Sequence, residues 1–66
     1  MHIYLNGDDH DCPPGTTVEQ LIIAQGLAPT LVAVEINREL VPRGVRGKRA
    51  LMDDDRVELV TLVGGG

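Results

Sequence analysis

Three glycines, Gly64, Gly65 and Gly66, follow the strand-like Leu62 and Val63 at the end of a 66-residue chain. Glycine loses more conformational entropy on ordering than any other residue. A glycine run set against a folded element therefore does not serve stability. Without side chains it can thread a narrow channel, and three extended residues reach roughly 10 Å. What it would present there is a carboxylate, a poor electrophile until it is activated. The plainer alternative is a frayed end or a cloning remnant. Other residues offer weaker chemistry. Cys12 could be a nucleophile or store a persulfide, but no base stands beside it, and a lone cysteine more often behaves as a small, half-buried apolar residue. His2 and His10 belong to no Cys/His ligand cluster and read as surface strand residues. Asp53, Asp54 and Asp55 lack the frame of an EF-hand and read as a solvated turn. Gly44 to Gly47, "GVRG", opens no phosphate loop. No metal site and no bound cofactor are expected.

Composition narrows the class. The net charge of −4 argues against general nucleic-acid binding, which needs many Lys and Arg against phosphate. The charge is uneven: two acidic turns stand against a basic stretch holding Arg43, Arg46, Lys48 and Arg49, read as a solvated loop. There is no Trp or Phe, and Tyr4 is the sole aromatic residue, so the core must be aliphatic. A single cysteine excludes an internal disulfide. The first residues, "MHIYLN", carry no signal-peptide pattern, and no stretch approaches the roughly 20 apolar residues of a membrane span. One small cytoplasmic domain without a membrane or nucleic-acid partner is expected.

The elements that must position the glycines can be read from periodicity. "HIYLN" alternates, with Ile3 and Leu5 facing one way and Tyr4 the other. "NGD" predicts a type I′ hairpin turn, returning through a strand at about His10 to Cys12 that "PPG" ends. "TTVEQLIIAQG" predicts a helix, with Thr16 and Glu19 as a capping box. Its apolar stripe runs through Val18, Leu21 and Ile22 and on towards Ala24 and Leu27, and Gly26 takes the left-handed C-terminal position. "LVAVEI" predicts a strand with Val32, Val34 and Ile36 inward and Ala33 and Glu35 outward. "NR" turns into a short strand at "ELVP". Leu51 returns one apolar group to the core. "RVELVTLV" predicts the last strand, with Val57, Leu59 and Val63 inward and Glu58, Val60 and Leu62 outward. The fold class is α+β: a mixed sheet of four to five strands with one helix across one face. A right-handed crossover sets the first and last strands side by side and parallel. That is the β-grasp, or ubiquitin-like, architecture, over residues 1–63, with 64–66 as a flexible reactive tail.

With the elements in this order, the chain resembles the ThiS family of sulfur carriers in thiamin thiazole biosynthesis. The resemblance rests on "NG" after the first strand, "GTTVEQLI", "VAVEINRELVPR", "DRVELV" and the terminal "VGGG", which together cover nearly the whole length. It departs at Asp53–Asp55, where the family commonly has a central glycine, at Leu62, where many members carry an aromatic residue, and in the basic, Gly-rich loop after Pro42. The resemblance implies that a ThiF/MoeB-like adenylyltransferase converts the carboxylate of Gly66 to an acyl-adenylate. A sulfur donor, such as the persulfide of a cysteine desulfurase, then turns it into a thiocarboxylate. A ThiG-like thiazole synthase takes that sulfur. The chain would be a co-substrate and not an enzyme. Two other readings compete: a related β-grasp carrier, of the molybdopterin synthase small-subunit or tRNA-thiolation type, and a ubiquitin-like protein modifier or plain interaction domain.

Ordering a glycine tail costs about 1–2 kcal/mol per residue, so the folded body must supply the docking energy. The face away from the helix offers Tyr4, Ala33, Val60 and Leu62, an apolar group near the base of the tail. Scattered exposed apolar residues are normal, but a cluster at that place is expected to dock the partner enzymes.

Overall fold

The computed structural model describes residues 1–62. The glycines Gly64–Gly66, and Val63 with its expected inward direction, lie outside them. Two strands, β1 (His2–Leu5) and β2 (Asp8–Asp11), precede a helix, α1 (Val18–Ala24). A 3₁₀ turn at Pro29–Leu31 leads into β3 (Val32–Ile36) and β4 (Glu39–Leu40), and a second at Arg43–Val45 precedes β5 (Arg56–Thr61). The strands form one five-stranded sheet in the order β2-β1-β5-β3-β4. β1 and β5 are parallel, and the remaining neighbours are antiparallel.

The two hairpins have the same cause. Asn6 and Gly7 both hold positive φ, 50° and 86°, and so do Asn37 and Arg38, at 52° and 71°. Two consecutive left-handed residues make the turn whose twist matches the flanking strands. Because the first turn spends just two residues, Leu5 pairs directly with Asp8. The second strand therefore begins at Asp8, two residues before the expected His10, and ends at Asp11.

The helix cap lies one residue later than Thr16 and Glu19 would place it. The Thr17 hydroxyl accepts from the Gln20 amide at 3.2 Å, and the Gln20 side chain accepts from the Thr17 amide at 2.9 Å. Thr16 is already committed: its hydroxyl donates to Pro13 O at 2.6 Å, and its carbonyl accepts from Leu51 N at 2.8 Å. The stripe buries Val18, Leu21 and Ile22. Ala24 is exposed, because at about 100° per residue it falls off the side of that stripe. Leu27 packs against the core, reached through Gly26, whose φ of +75° turns the chain back.

The helix lies over Ile3, Val32, Val34, Ile36, Val57 and Leu59, with Val41 and Leu51 closing the core. Ala33 is half-buried and Glu35 exposed on the opposite face. Two stretches expected to be solvated are partly buried. Asp55 is buried, where it accepts from the Asn37 side chain at 3.0 Å and from Met52 N at 2.8 Å. Arg46, from the basic loop, is 4% exposed. In both cases groups of neighbouring loops supply the partners that burial demands.

Candidate functional site

β5 is the central strand, and its end is the base from which residues 63–66 continue. Its two sides are held differently. On the β1 side, pairing runs through Tyr4–Arg56 and Leu5–Val57. Asn6 then extends it with its side chain, accepting from Leu59 N at 2.9 Å and donating to Leu59 O at 3.4 Å. Beyond Leu59, among the described residues, β3 alone pairs with β5. Val60 lies opposite Ala33 and Thr61 opposite Val32. Leu62 adds one more step, donating from its amide to Leu31 O at 2.7 Å.

The outer face carries three of the four apolar residues expected there at one end. Ala33 and Val60 are cross-strand partners, and Leu62 stands two residues further along. Val60 and Leu62 are 55% and 46% exposed. Tyr4 does not join them. It pairs with Arg56, four residues or about 13 Å down the strand from Val60. Its ring is occupied: the His2 ring meets it edge-on with centroids 4.6 Å apart, and the Arg56 guanidinium lies 4.9 Å from its centroid. Exposed Leu31, whose carbonyl takes the Leu62 amide, extends the apolar end instead, while exposed Leu40 stands level with Glu35. Alternation does not reveal Leu31, because it sits in a 3₁₀ turn. Glu35 and Glu58 face each other across β3 and β5; like charges directly opposite are unfavourable in a sheet. An apolar end beside an acidic pair is therefore the character of this face.

His2 belongs to a separate cluster at the other end. Its Nε2 lies 2.6 Å from Asp9 Oδ1 and its Nδ1 3.1 Å from Asp54 Oδ1, while its amide donates to Asp53 Oδ1 at 3.0 Å. The hydrogen bond to Asp9, then that to Asp54, raises the imidazole above its ordinary value. Asp54 holds φ at +66°, which explains why a glycine suits this turn; aspartate is among the side chains that tolerate it. Cys12 is half-buried against the core, beside a cavity of about 540 Å³ between the end of β2 and α1. Among the described residues, no three His, Cys, Asp or Glu side chains are grouped to hold a metal ion. No helix among them is long and apolar enough to cross a membrane.

The basic loop is spent largely on the protein itself. Arg46 donates to Pro29 O at 2.8 Å and to Val32 O at 2.6 Å, and Arg43 donates to Thr30 O at 2.8 Å. Burial pushes the Arg46 guanidinium below its usual range, although arginine stays charged.

Among the described residues, a single helix lies over a 2-1-5-3-4 sheet, and that arrangement defines a ubiquitin-like β-grasp domain. The chain belongs to the ThiS family, whose model matches residues 3–66 and so includes all three glycines. It is similar over its whole length to a thiazole synthase of Magnetococcus marinus, at 47% identity, but spans only 20% of that protein's length. It is 29% identical to the sulfur carrier protein ThiS of Escherichia coli, covering all of both chains. The solved structure of a thiamine biosynthesis protein (ThiS) from Geobacter metallireducens superposes with a TM-score of 0.85 at 29% identity, again covering both chains completely.

Proposed function

We propose that this protein is the sulfur carrier for thiazole formation in thiamin biosynthesis, with the carboxylate of Gly66 as its working group. The observation that carries this reading is the continuity of the family match through Gly66, directly after the central strand. The thiazole synthase relative supports a thiazole synthase as the acceptor of the sulfur, over a molybdopterin or tRNA-thiolation enzyme. The chemistry proceeds in three steps. A ThiF/MoeB-like adenylyltransferase joins the carboxylate to the AMP part of ATP and releases pyrophosphate. The terminal sulfur of a donor persulfide, such as that of a cysteine desulfurase, attacks the activated carbonyl and expels AMP, leaving an acyl disulfide. A thiol then attacks the donor's sulfur, taking it as a disulfide and leaving the thiocarboxylate on Gly66. Catalysis belongs to the partners in the cytoplasm; this chain holds and delivers the reactive group. Ala33, Val60 and Leu62 form the docking end of the outer face, close to the tail.

The test is sulfur loading read by mass. The chain is incubated with ATP, the adenylyltransferase and a persulfide donor, alongside variants lacking Gly66 or carrying one residue after it. Both variants should fold normally and fail to load. The reacting carboxyl moves by about 3.5 Å, and a misplacement of about 1 Å can already cost on the order of a hundredfold in rate. Replacing oxygen by sulfur adds the nominal mass of one oxidation, so the gain must be localised to the C-terminal fragment, away from Met1, Met52 and Cys12. Cys12→Ser should load like the unaltered chain, since no sulfur rests on that residue. Normal loading of the extended variant would overturn the reading.

A further inference from the structure

Four successive carbonyls, those of Pro29, Thr30, Leu31 and Val32, form a rail at the start of β3, and each has an identified donor. Arg46 takes the first and the last, Arg43 the second, and the amide of Leu62 the third. Leu62, two residues before the first tail glycine, therefore rests on a rail whose other places are held by two guanidiniums. The rail matters because β5 beyond Leu59 has no pairing on its β1 side among the described residues. The position of Leu62 depends on where Leu31 O points, and Leu31 lies in a 3₁₀ turn, a weaker frame than a strand.

Arg46 is also anchored at its own backbone. Its carbonyl accepts from Glu19 N at 3.2 Å, beside the Val18 N to Arg49 O bond at 2.9 Å. These are amides of the first turn of α1, which have no partner inside the helix. One residue thus ties the start of the helix to the rail under Leu62. A charged group this buried is costly to keep when its side-chain bonds go to neutral carbonyls and its Nε is unpartnered among the described residues. A fork of two charge-assisted bonds gives a directional constraint that an apolar side chain lacks.

We propose that Arg46 is a positioning residue for the reactive tail: by fixing the carbonyl rail at Pro29–Val32 it sets the position of Leu62, from which the chain continues to the glycines, and Arg43 supports it. This rests on the carrier reading above. Arg46 and Arg43 themselves stand off the docking face, but the rail they hold carries Leu62, so it governs a docking side chain together with presentation of the carboxyl.

The experiment compares Arg46→Lys, Arg46→Leu and Arg43→Ala with the unaltered chain, by amide hydrogen exchange and by adenylation. The lysine variant keeps the charge and loses the fork; the leucine variant loses both. In both Arg46 variants the Leu62 amide should exchange at least tenfold faster while Val57 and Leu59 keep their protection. The kcat/KM of a ThiF/MoeB-like adenylyltransferase with ATP, followed as pyrophosphate release, should fall about tenfold, most in Arg46→Leu and least in Arg43→Ala. A uniform rise of exchange across β5 would mean that Arg46 merely stabilises the fold. Faster exchange at Leu62 with unchanged kcat/KM would also overturn the proposal. If the unaltered chain releases no pyrophosphate, the carrier reading itself fails, and the exchange pattern alone still decides whether the rail holds Leu62.

Discussion

His2 joins three segments through one imidazole and one amide, and its protonation governs how firmly. Charged, the ring donates to both Asp9 and Asp54; neutral, it keeps one donor. The folded value is raised, so the folded state binds the proton more tightly than the unfolded chain. The stabilisation is then complete below about pH 6.5, the value of a free imidazole, and is lost as pH rises through the higher folded value. Titration of the ring by NMR should give a midpoint above that of an unstructured peptide. Asp9→Asn should lower it more than Asp54→Asn, since Asp9 is the nearer and stronger partner. A midpoint unmoved by either change would show that the clasp does not form in solution. Arg56 and Tyr4 share this end of the sheet, and Tyr4→Leu would remove both ring contacts without touching the carboxylates.

At the level of the element, α1 has only seven residues, too short to persist by propensity. Its first-turn amides are held by the Thr17 hydroxyl and by carbonyls of Arg46 and Arg49. Thr17→Ala removes the side-chain cap and should cost about 1 kcal/mol, lowering the melting temperature by roughly 4–8 °C in a domain of this size. Thr16→Ala should cost clearly less, because its exposed hydroxyl bonds only the preceding turn. A thermal melt of the two variants separates the two capping arrangements, and the reverse ranking would return the cap to Thr16.

At the scale of the whole molecule, one helix among the described residues covers one face of the sheet, and none of them covers the other. On that open face the apolar end lies nearest the tail, so docking there would bring the glycines to an active site without new structure. Val60→Asp or Leu62→Asp should weaken binding to thiazole synthase and to the adenylyltransferase well over tenfold, since interface hot spots are worth about 2 kcal/mol or more. Calorimetry reads the affinity, and melts on the same samples should change little because both side chains are exposed. Tyr4→Ala should leave affinity near its starting value, because Tyr4 stands at the far end. If affinity holds in the Val60 and Leu62 variants, the docking surface lies elsewhere.

The strand and helix periods, the two Asn-led turns and the aliphatic stripe are local signals, and they dictated the α+β order, the inward residues of β3 and the inward Val57 and Leu59 of β5, while the handedness of the crossover added the parallel β1–β5 pair. The terminal glycines were equally plain, being defined by composition. Register decided what local pattern could not. Alternation puts Tyr4 on the outer face, but only pairing with Arg56 shows how far along the sheet it stands from Val60. Charge counting reads Arg46 and Asp55 as solvated, since nothing in their neighbours along the chain reveals the carbonyls of Pro29 and Val32 that meet the first or the Asn37 side chain that meets the second. The one-residue shift of the cap has the same origin: Thr16 and Thr17 are alike in sequence, and Leu51, folded back from 35 residues away, claims the carbonyl of the first and leaves the second to start the helix.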